Sequence, residues 1–228
     1  MKDLRLVQRV AFLEDIASGK CVLHLGCTNY PYTQDSIDNA MLLHDNLHRV
    51  ASDLWGLDGD PKGLKMLEQR GYDNLVEGDI ENLRPVIGAP DFDVIVAGEI
   101  IEHLNNPGLF LNGVQQLMTD TTRLVITTVN AYCAFRGAYY ALRGKGGAVE
   151  PVHPDHVAYY SYFTLKNLIE RHHLRVEKFL FYDVGLEHRK FSRRPLLWIN
   201  DISVRLAPQL ADGVIAVCTL LPRSPNVS

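Results

Sequence analysis

Along the chain, stretches with apolar residues at helical spacing alternate with short continuous apolar runs. Leu4, Val7, Val10, Phe12 and Leu13 recur near helical spacing, so residues 3–17 read as an amphipathic helix closed by Gly19. Residues 21–25 then form an apolar run that stops at Gly26 and predicts a first strand. Residues 35–51 predict a helix, with Asp35 or Ser36 as its N-cap. Residues 54–57 predict a second strand, and Pro61 opens a helix to about Arg70, since proline suits the first helical position. Residues 74–76 read as a third short strand. Residues 92–97 are apolar but for Asp93, and the unbroken run from Val94 to Ala97 is what a strand covered on both faces shows. A helix over 107–118 and a strand over 123–128 follow, then helices over 131–143 and 165–173 with a loop over 144–161 between them. Residues 176–181 and 214–220 close the series as two further strands. Strands alternating with helices predict an α/β fold, Rossmann-like and doubly wound, with helices on both faces of a mostly parallel sheet.

Composition narrows the partners. The 228 residues suit one domain with a sizeable core. A formal net charge of −4 gives no electrostatic footprint for long nucleic acid or an anionic membrane, and so favours a small-molecule acceptor. A local basic patch can still hide in that average. No run approaches the ~18 apolar residues that a membrane span needs. The charged start of the chain is unlike a signal peptide, so a cytoplasmic protein is expected, as a monomer or homodimer. Cys21, Cys27, Cys133 and Cys218 show no CxxC spacing and read as free thiols.

In such a sheet ligands bind outside the carboxyl ends of the strands. Those ends carry VLHLGCTNY, LWGLDGDP, VEGDIENL and FDVIVAGEIIEHL. In this order and spacing, over about residues 20–130, the four segments resemble the class I S-adenosylmethionine-dependent methyltransferases. The resemblance implies S-adenosyl-L-methionine as cofactor. It also implies a seven-stranded sheet whose last strand, 214–220, is antiparallel and inserted beside the fifth. On that reading Gly26 lets the backbone turn against the methionine part, and Asp58 accepts the ribose hydroxyls. Asp60 is the alternative acceptor, or a helix N-cap before Pro61. Asp79 accepts from the adenine amino group beside the Ile80 backbone, and Gly98 ends the strand that faces the methyl donor. The first motif departs from the family's acid-x-Gly-x-Gly-x-Gly: His24 stands at the acid, and Thr28 and Tyr30 replace the second and third glycines.

Gly98-Glu99-Ile100-Ile101-Glu102-His103 follows the fourth strand, and Val152-His153-Pro154-Asp155-His156 comes later. Carboxylates with imidazoles are a divalent-metal set. The E-x-x-E-H loop with a later histidine resembles two groups. In the small-RNA 3′-terminal 2′-O-methyltransferases it implies a metal on Glu99, Glu102, His103 and His156, with Mg²⁺, Mn²⁺ or Zn²⁺ as the ion. In the ubiquinone-type and related small-molecule O-methyltransferases the same loop is common, often with no known metal. Without metal, His103, His153 or His156 can act as general base on an acceptor hydroxyl. Residues 130–163 resemble the insert that covers the acceptor in small methyltransferases, with Tyr132, Tyr139, Tyr140 and Tyr159 as candidate lid residues.

The leading expectation is therefore O-methylation of a small hydroxylated acceptor such as a sugar, phenol or secondary metabolite. Metal-dependent methylation of an RNA 3′ end is the alternative, disfavoured by the acidic balance. A non-catalytic Rossmann-like subunit is the reading from a different class, motivated by the altered glycine loop.

Overall fold

A computed structural model describes residues 6–84, 89–144, 155–183, 189 and 194–222. The strands are β1 (Leu6–Val7), β2 (Cys21–Leu25), β3 (Asp53–Asp58), β4 (Leu75–Glu77), β5 (Val94–Gly98), β6 (Arg123–Val129), β7 (Leu174–Tyr182) and β8 (Gly213–Leu220). The helices are α1 (Arg9–Ala17), α2 (Thr33–Asp38), α3 (Leu43–His48), α4 (Pro61–Gln69), α5 (Pro107–Leu117), α6 (Ala134–Arg143), α7 (Tyr162–Glu170) and α8 (Arg194–Leu206).

One sheet runs β1-β7-β8-β6-β5-β2-β3-β4. β8 is antiparallel to both β6 and β7, while the other pairs are parallel. The last strand thus lies beside the fifth expected one, β6. The strand count is eight rather than seven, because Leu6–Val7 pairs with Phe181 and Tyr182. The helix expected over 3–17 therefore begins only at Arg9. Two residues are too short to show a period, and their extended form comes from a distant strand whose edge they cover.

The period-2 alternation of the strands splits the core into two layers. Leu23, Leu25, Ile95, Ala97, Leu124 and Ile126 pack with Phe110, Leu111 and Val114 of α5 and Leu165 and Ile169 of α7. Val22, Val94, Val96, Val125 and Ile215 face the other way, onto Leu13 and Ala17 of α1 and Leu47 of α3. The helix expected over 35–51 is broken in two. The Asn39 side chain donates to the Asp35 carbonyl at 2.8 Å and Ala40 takes a φ of +54°, so the chain turns before α3 begins.

β7 and β8 meet at Tyr182 opposite Gly213. The Tyr182 ring fills the space over that glycine: a Cβ on Gly213 would lie 1.9 Å from Tyr182 Cζ. Tyr182 is itself buried and cannot swing into solvent. Gly213→Ala is therefore expected to cost about 3 kcal/mol, the upper end for overpacking, read as a lower urea midpoint. An unchanged midpoint would mean that this corner relaxes freely.

Candidate functional site

The strand order reverses between β2 and β5, so their carboxyl ends open a crevice. Gly26 leaves β2 with a φ of +70°, and a Cβ there would sit 2.8 Å from Ile100 Cδ1. Only glycine meets both conditions cheaply. Its N–H donates to the Leu57 carbonyl at 2.8 Å and ties this loop to the end of β3.

Asp58 ends β3, and its carboxylate is already partly engaged. The Thr28 N–H and Thr28 hydroxyl each donate to Oδ2 at 2.9 Å, and the Asp60 N–H donates to Oδ1 at 3.0 Å. Thr28 is fully buried. Asp60 caps α4, accepting from Lys62 N at 3.1 Å and Gly63 N at 2.9 Å. The loop packs tightly here, since a Cβ on Gly63 would lie 2.6 Å from Thr28 Cβ. An ionised carboxylate accepts about four hydrogen bonds. Asp58 thus keeps room on Oδ1 for one hydroxyl, and gains a second position if the Thr28 hydroxyl turns away.

Glu77 is the register partner of Asp58, which puts the β4 loop beside it. Asp79 in that loop is exposed and caps a 3-10 turn over Ile80–Asn82, accepting from Glu81 N at 2.8 Å. Gly98 ends β5, and a Cβ there would meet Leu43 at 3.0 Å and Arg9 Nη1 at 3.6 Å. The four loops supply a left-handed glycine, a strand-end carboxylate, a second exposed carboxylate and a side-chain-free strand end on one edge. That set fits a nucleoside with an amino-acid tail.

His24 points away from this crevice. It lies on the α1/α3 face with its Nδ1 3.2 Å from His44 Nδ1, and both rings are buried. Burial, with the charges of His44 and Arg9, pushes the His24 pKa well down. Burial pushes His44 down to about 4, helped by His48 and opposed by Asp45. Both rings are then neutral at pH 7, one donating to the other. Their folded pKa values lie below the ordinary ~6.5 of an unfolded chain, so the neutral pair stabilises fully above pH ~6.5. That stability is lost as pH falls from 6.5 toward 4. For His44 alone the loss amounts to about 3 kcal/mol by pH 4. The urea midpoint should fall between pH 7 and pH 5, and the drop should shrink in His44→Gln. An equal drop in that variant would assign it to other groups.

The loop after β5 carries a second constellation. Glu99 has a φ of +57° and its Oε1 accepts from the Tyr182 hydroxyl and, at 3.2 Å, from Thr127 Oγ1. Ile101–His103 then forms a 3-10 turn. The Glu102 carbonyl accepts from Val157 N at 2.9 Å and Ala158 N at 3.2 Å. The Tyr160 hydroxyl donates to the Ile101 carbonyl at 3.4 Å, and Tyr160 also bridges to Asn130. These bonds hold residues 156–160 on the turn. The His103 and His156 rings accordingly stand edge to face, 4.6 Å between centroids.

Glu102, His103 and His156 each place one ligand atom within 4.8 Å of the other two. Glu102 is fully buried, and neither carboxylate oxygen makes a close, well-aligned hydrogen bond among the described residues; the Thr128 hydroxyl and the Val129 N–H offset its burial only in part. Burial and the Glu99 charge raise its pKa to about 8. A buried carboxylate with so little donor support is costly unless something neutralises it. Glu99, the fourth expected ligand, is not in this group, because Tyr182 and Thr127 hold its carboxylate. His153 lies outside the described residues. Of the candidate lid residues Tyr132, Tyr140 and Tyr159 are exposed and Tyr139 is half-buried.

Two participants had escaped sequence reasoning. Thr28 had registered only as a missing glycine, and Tyr182 gave no signal at all because its partner Glu99 is remote in sequence. A hydroxyl residue opposite a strand-end carboxylate is the one cue that was legible for Thr28.

A methyltransferase-domain family model matches residues 3–178. The chain belongs to that family. It is similar to the mitochondrial ubiquinone biosynthesis O-methyltransferase of Rattus norvegicus, 28% identical over 120 residues. It is also similar to the ubiquinone biosynthesis O-methyltransferase of Azorhizobium caulinodans, 28% identical over 112 residues. These matches span 50% and 45% of this chain but only 32% and 44% of those relatives. Among solved structures, a SAM-dependent methyltransferase from Archaeoglobus fulgidus superposes with a TM-score of 0.58 at 18% identity, covering 92% of this chain and 91% of that one. A magnesium protoporphyrin IX methyltransferase from Synechocystis superposes at 0.56 and 12% identity, covering 93% and 80%. The fold is thus that of the S-adenosylmethionine-dependent methyltransferases.

Proposed function

We propose that the protein methylates a hydroxyl oxygen of a small acceptor, with S-adenosyl-L-methionine as donor. The observation that carries this reading is the convergence of Glu102, His103 and His156 on the sheet edge that also bears Gly26, Asp58 and Gly98. Asp58 accepts a ribose hydroxyl, Asp79 and the Ile80 backbone meet the adenine, and the Gly26 turn and the Gly98 strand end bring their backbone beside the methionine part. The cofactor supplies an electrophilic methyl group on sulfur. The chain supplies position, since methyl transfer needs the acceptor oxygen in line with that group.

A protonated hydroxyl is a poor nucleophile, and the three-residue cluster addresses this in one of two ways. One carboxylate and two imidazoles can hold a divalent ion, and the buried Glu102, with no close hydrogen bond on either oxygen, fits that role. An ion there would lower the hydroxyl's pKa. With Glu99 outside the set, one carboxylate and two imidazoles suit Zn²⁺ or Mn²⁺ better than the oxygen-demanding Mg²⁺. Without an ion, His103 takes the proton directly, with His156 against its ring. The test is a screen with isotope-labelled S-adenosylmethionine against phenols, catechols, sugars and a short RNA. Label on a phenol, catechol or sugar hydroxyl is expected. Label on the RNA 3′ end alone would replace this reading with the RNA one, and no label anywhere with no cofactor binding would favour a non-catalytic subunit.

A further inference from the structure

The face of α8 that points away from the sheet is apolar and basic. Trp198 is 68% exposed, Ile202 41% and Leu206 81%, at successive steps of four residues. On a helix these three form one stripe. Arg194 and Arg205 fall on the same side of the helix next to Trp198 and are exposed too. The opposite side holds Asn200, fully buried, which donates to Asp183 at 2.7 Å, and buried Val204. α8 also packs against α6, whose Leu142 is 67% exposed beside exposed Arg143. α6 and α8 together carry Arg136, Arg143, Arg194 and Arg205 against one carboxylate, Asp201, which is already paired with Arg189. Arg136 is spoken for by Asp212 at 2.8 Å. The chain as a whole has net charge −4, so this face is a basic exception on an acidic molecule.

We propose that α8, with the end of α6, is a docking surface for an anionic lipid bilayer. An amphipathic helix with tryptophan and leucine on one stripe and arginine beside it is built to lie in the plane of a membrane interface. Tryptophan sits at headgroup depth, and arginine stems run along apolar surface while their heads reach the phosphates. The charges argue against a second copy as occupant. A two-fold pairing of this face would bring Arg194 and Arg205 near their own equivalents, with no unpaired carboxylate on either helix to offset them. The whole-chain charge of −4, which gives no footprint for a membrane, averages over this local basic face. α8 links the end of β7 to the start of β8, and Asn130 beyond β6 donates to the Gln209 and Ala211 carbonyls at 2.9 and 2.8 Å. The docking face therefore lies at the same sheet edge as the Glu102 cluster.

The test is flotation of the full chain with vesicles of phosphatidylcholine, with and without about 30 mol% phosphatidylglycerol, at low and high salt. Binding to the anionic vesicles is expected, about tenfold weaker at high salt because surface charge is screened. Trp198→Ser/Ile202→Ser and, separately, Arg194→Glu/Arg205→Glu should each weaken it at least about tenfold. A thermal melt checks that the variants fold, and both pairs are exposed enough to be tolerated. No flotation of the unaltered chain would overturn the proposal. So would equal flotation of the folded variants, which would place binding elsewhere. So would light scattering that shows a dimer made monomeric by the apolar variant, which would make the face a contact between copies.

Discussion

Asp58→Ala is expected to raise the dissociation constant for S-adenosylhomocysteine ten- to a hundredfold by calorimetry. Loss of a hydrogen-bonded carboxylate typically costs about 1.5–3 kcal/mol of binding. The same change also removes the acceptor of the Thr28 N–H and hydroxyl, both 2.9 Å from Oδ2. Thr28 is buried, so those donors lose their partner away from water, and the loop that follows Gly26 loosens with them. The variant should therefore melt earlier as well as bind more weakly. Thr28→Ala separates the two effects. It keeps the carboxylate and frees one of its acceptor positions, so it should bind at least as tightly as the unaltered chain. Unchanged affinity in Asp58→Ala would end the ribose assignment. Asp60 would then be the next candidate, since each of its oxygens accepts only one bond from the N-terminus of α4.

The second large effect concerns the buried carboxylate of the reaction loop. Excess chelator should abolish methyl transfer, Mn²⁺ or Zn²⁺ should restore it, and Glu102→Ala should match the chelated protein, a loss of at least about a hundredfold. Full activity in chelator would rule out a catalytic ion and leave His103 as the base. A measurement without turnover checks the same residue. In the metal-free chain burial and Glu99 raise the Glu102 pKa to about 8, above the ordinary carboxylate value of 4.5. The folded state then holds this proton more tightly than the unfolded one. Glu102 accordingly favours folding below pH ~4.5, and that contribution is lost as pH rises through 8. Glu102→Gln should gain urea resistance at pH 8 relative to pH 5, and added Zn²⁺ should restore stability at pH 8 only while Glu102 is present. A pH profile that the glutamine variant leaves unaltered would show that the carboxylate is not strained.

Most strands and the crevice they frame were legible in the sequence, because each is a local property. The apolar run from Val94 to Ala97 needs no partner to show that both its faces are covered, and β5 buries its alternate residues in separate layers. Gly26 and Asp58 were readable for the same reason: a glycine after an apolar run and a carboxylate at the end of another mark loop ends whatever surrounds them. The helices were less secure at their boundaries. The 35–51 pattern is helical in period, yet one side-chain bond from Asn39 suffices to break it. α8 went unread, although it runs for 13 residues, because its apolar positions serve both a buried side and an exposed stripe and so show no clean polar face.

Sequence by itself determined most of the order of strands and helices, the loops at the carboxyl ends of the strands, and the residue types available there. Tertiary structure decided which of those residues work together. Glu99 and Glu102 are three positions apart and chemically equal, but Tyr182, 83 residues from Glu99, draws one away, while the other is left buried beside two histidines. His156 joins His103 because two backbone N–H groups, from Val157 and Ala158, find the Glu102 carbonyl. Thr28 became the clamp on Asp58 by the same kind of competition for donors. Hydrophobic period is written in near neighbours, whereas a polar group's partner is chosen among everything that folding brings within about 3 Å, and that choice exists only once the sheet has closed.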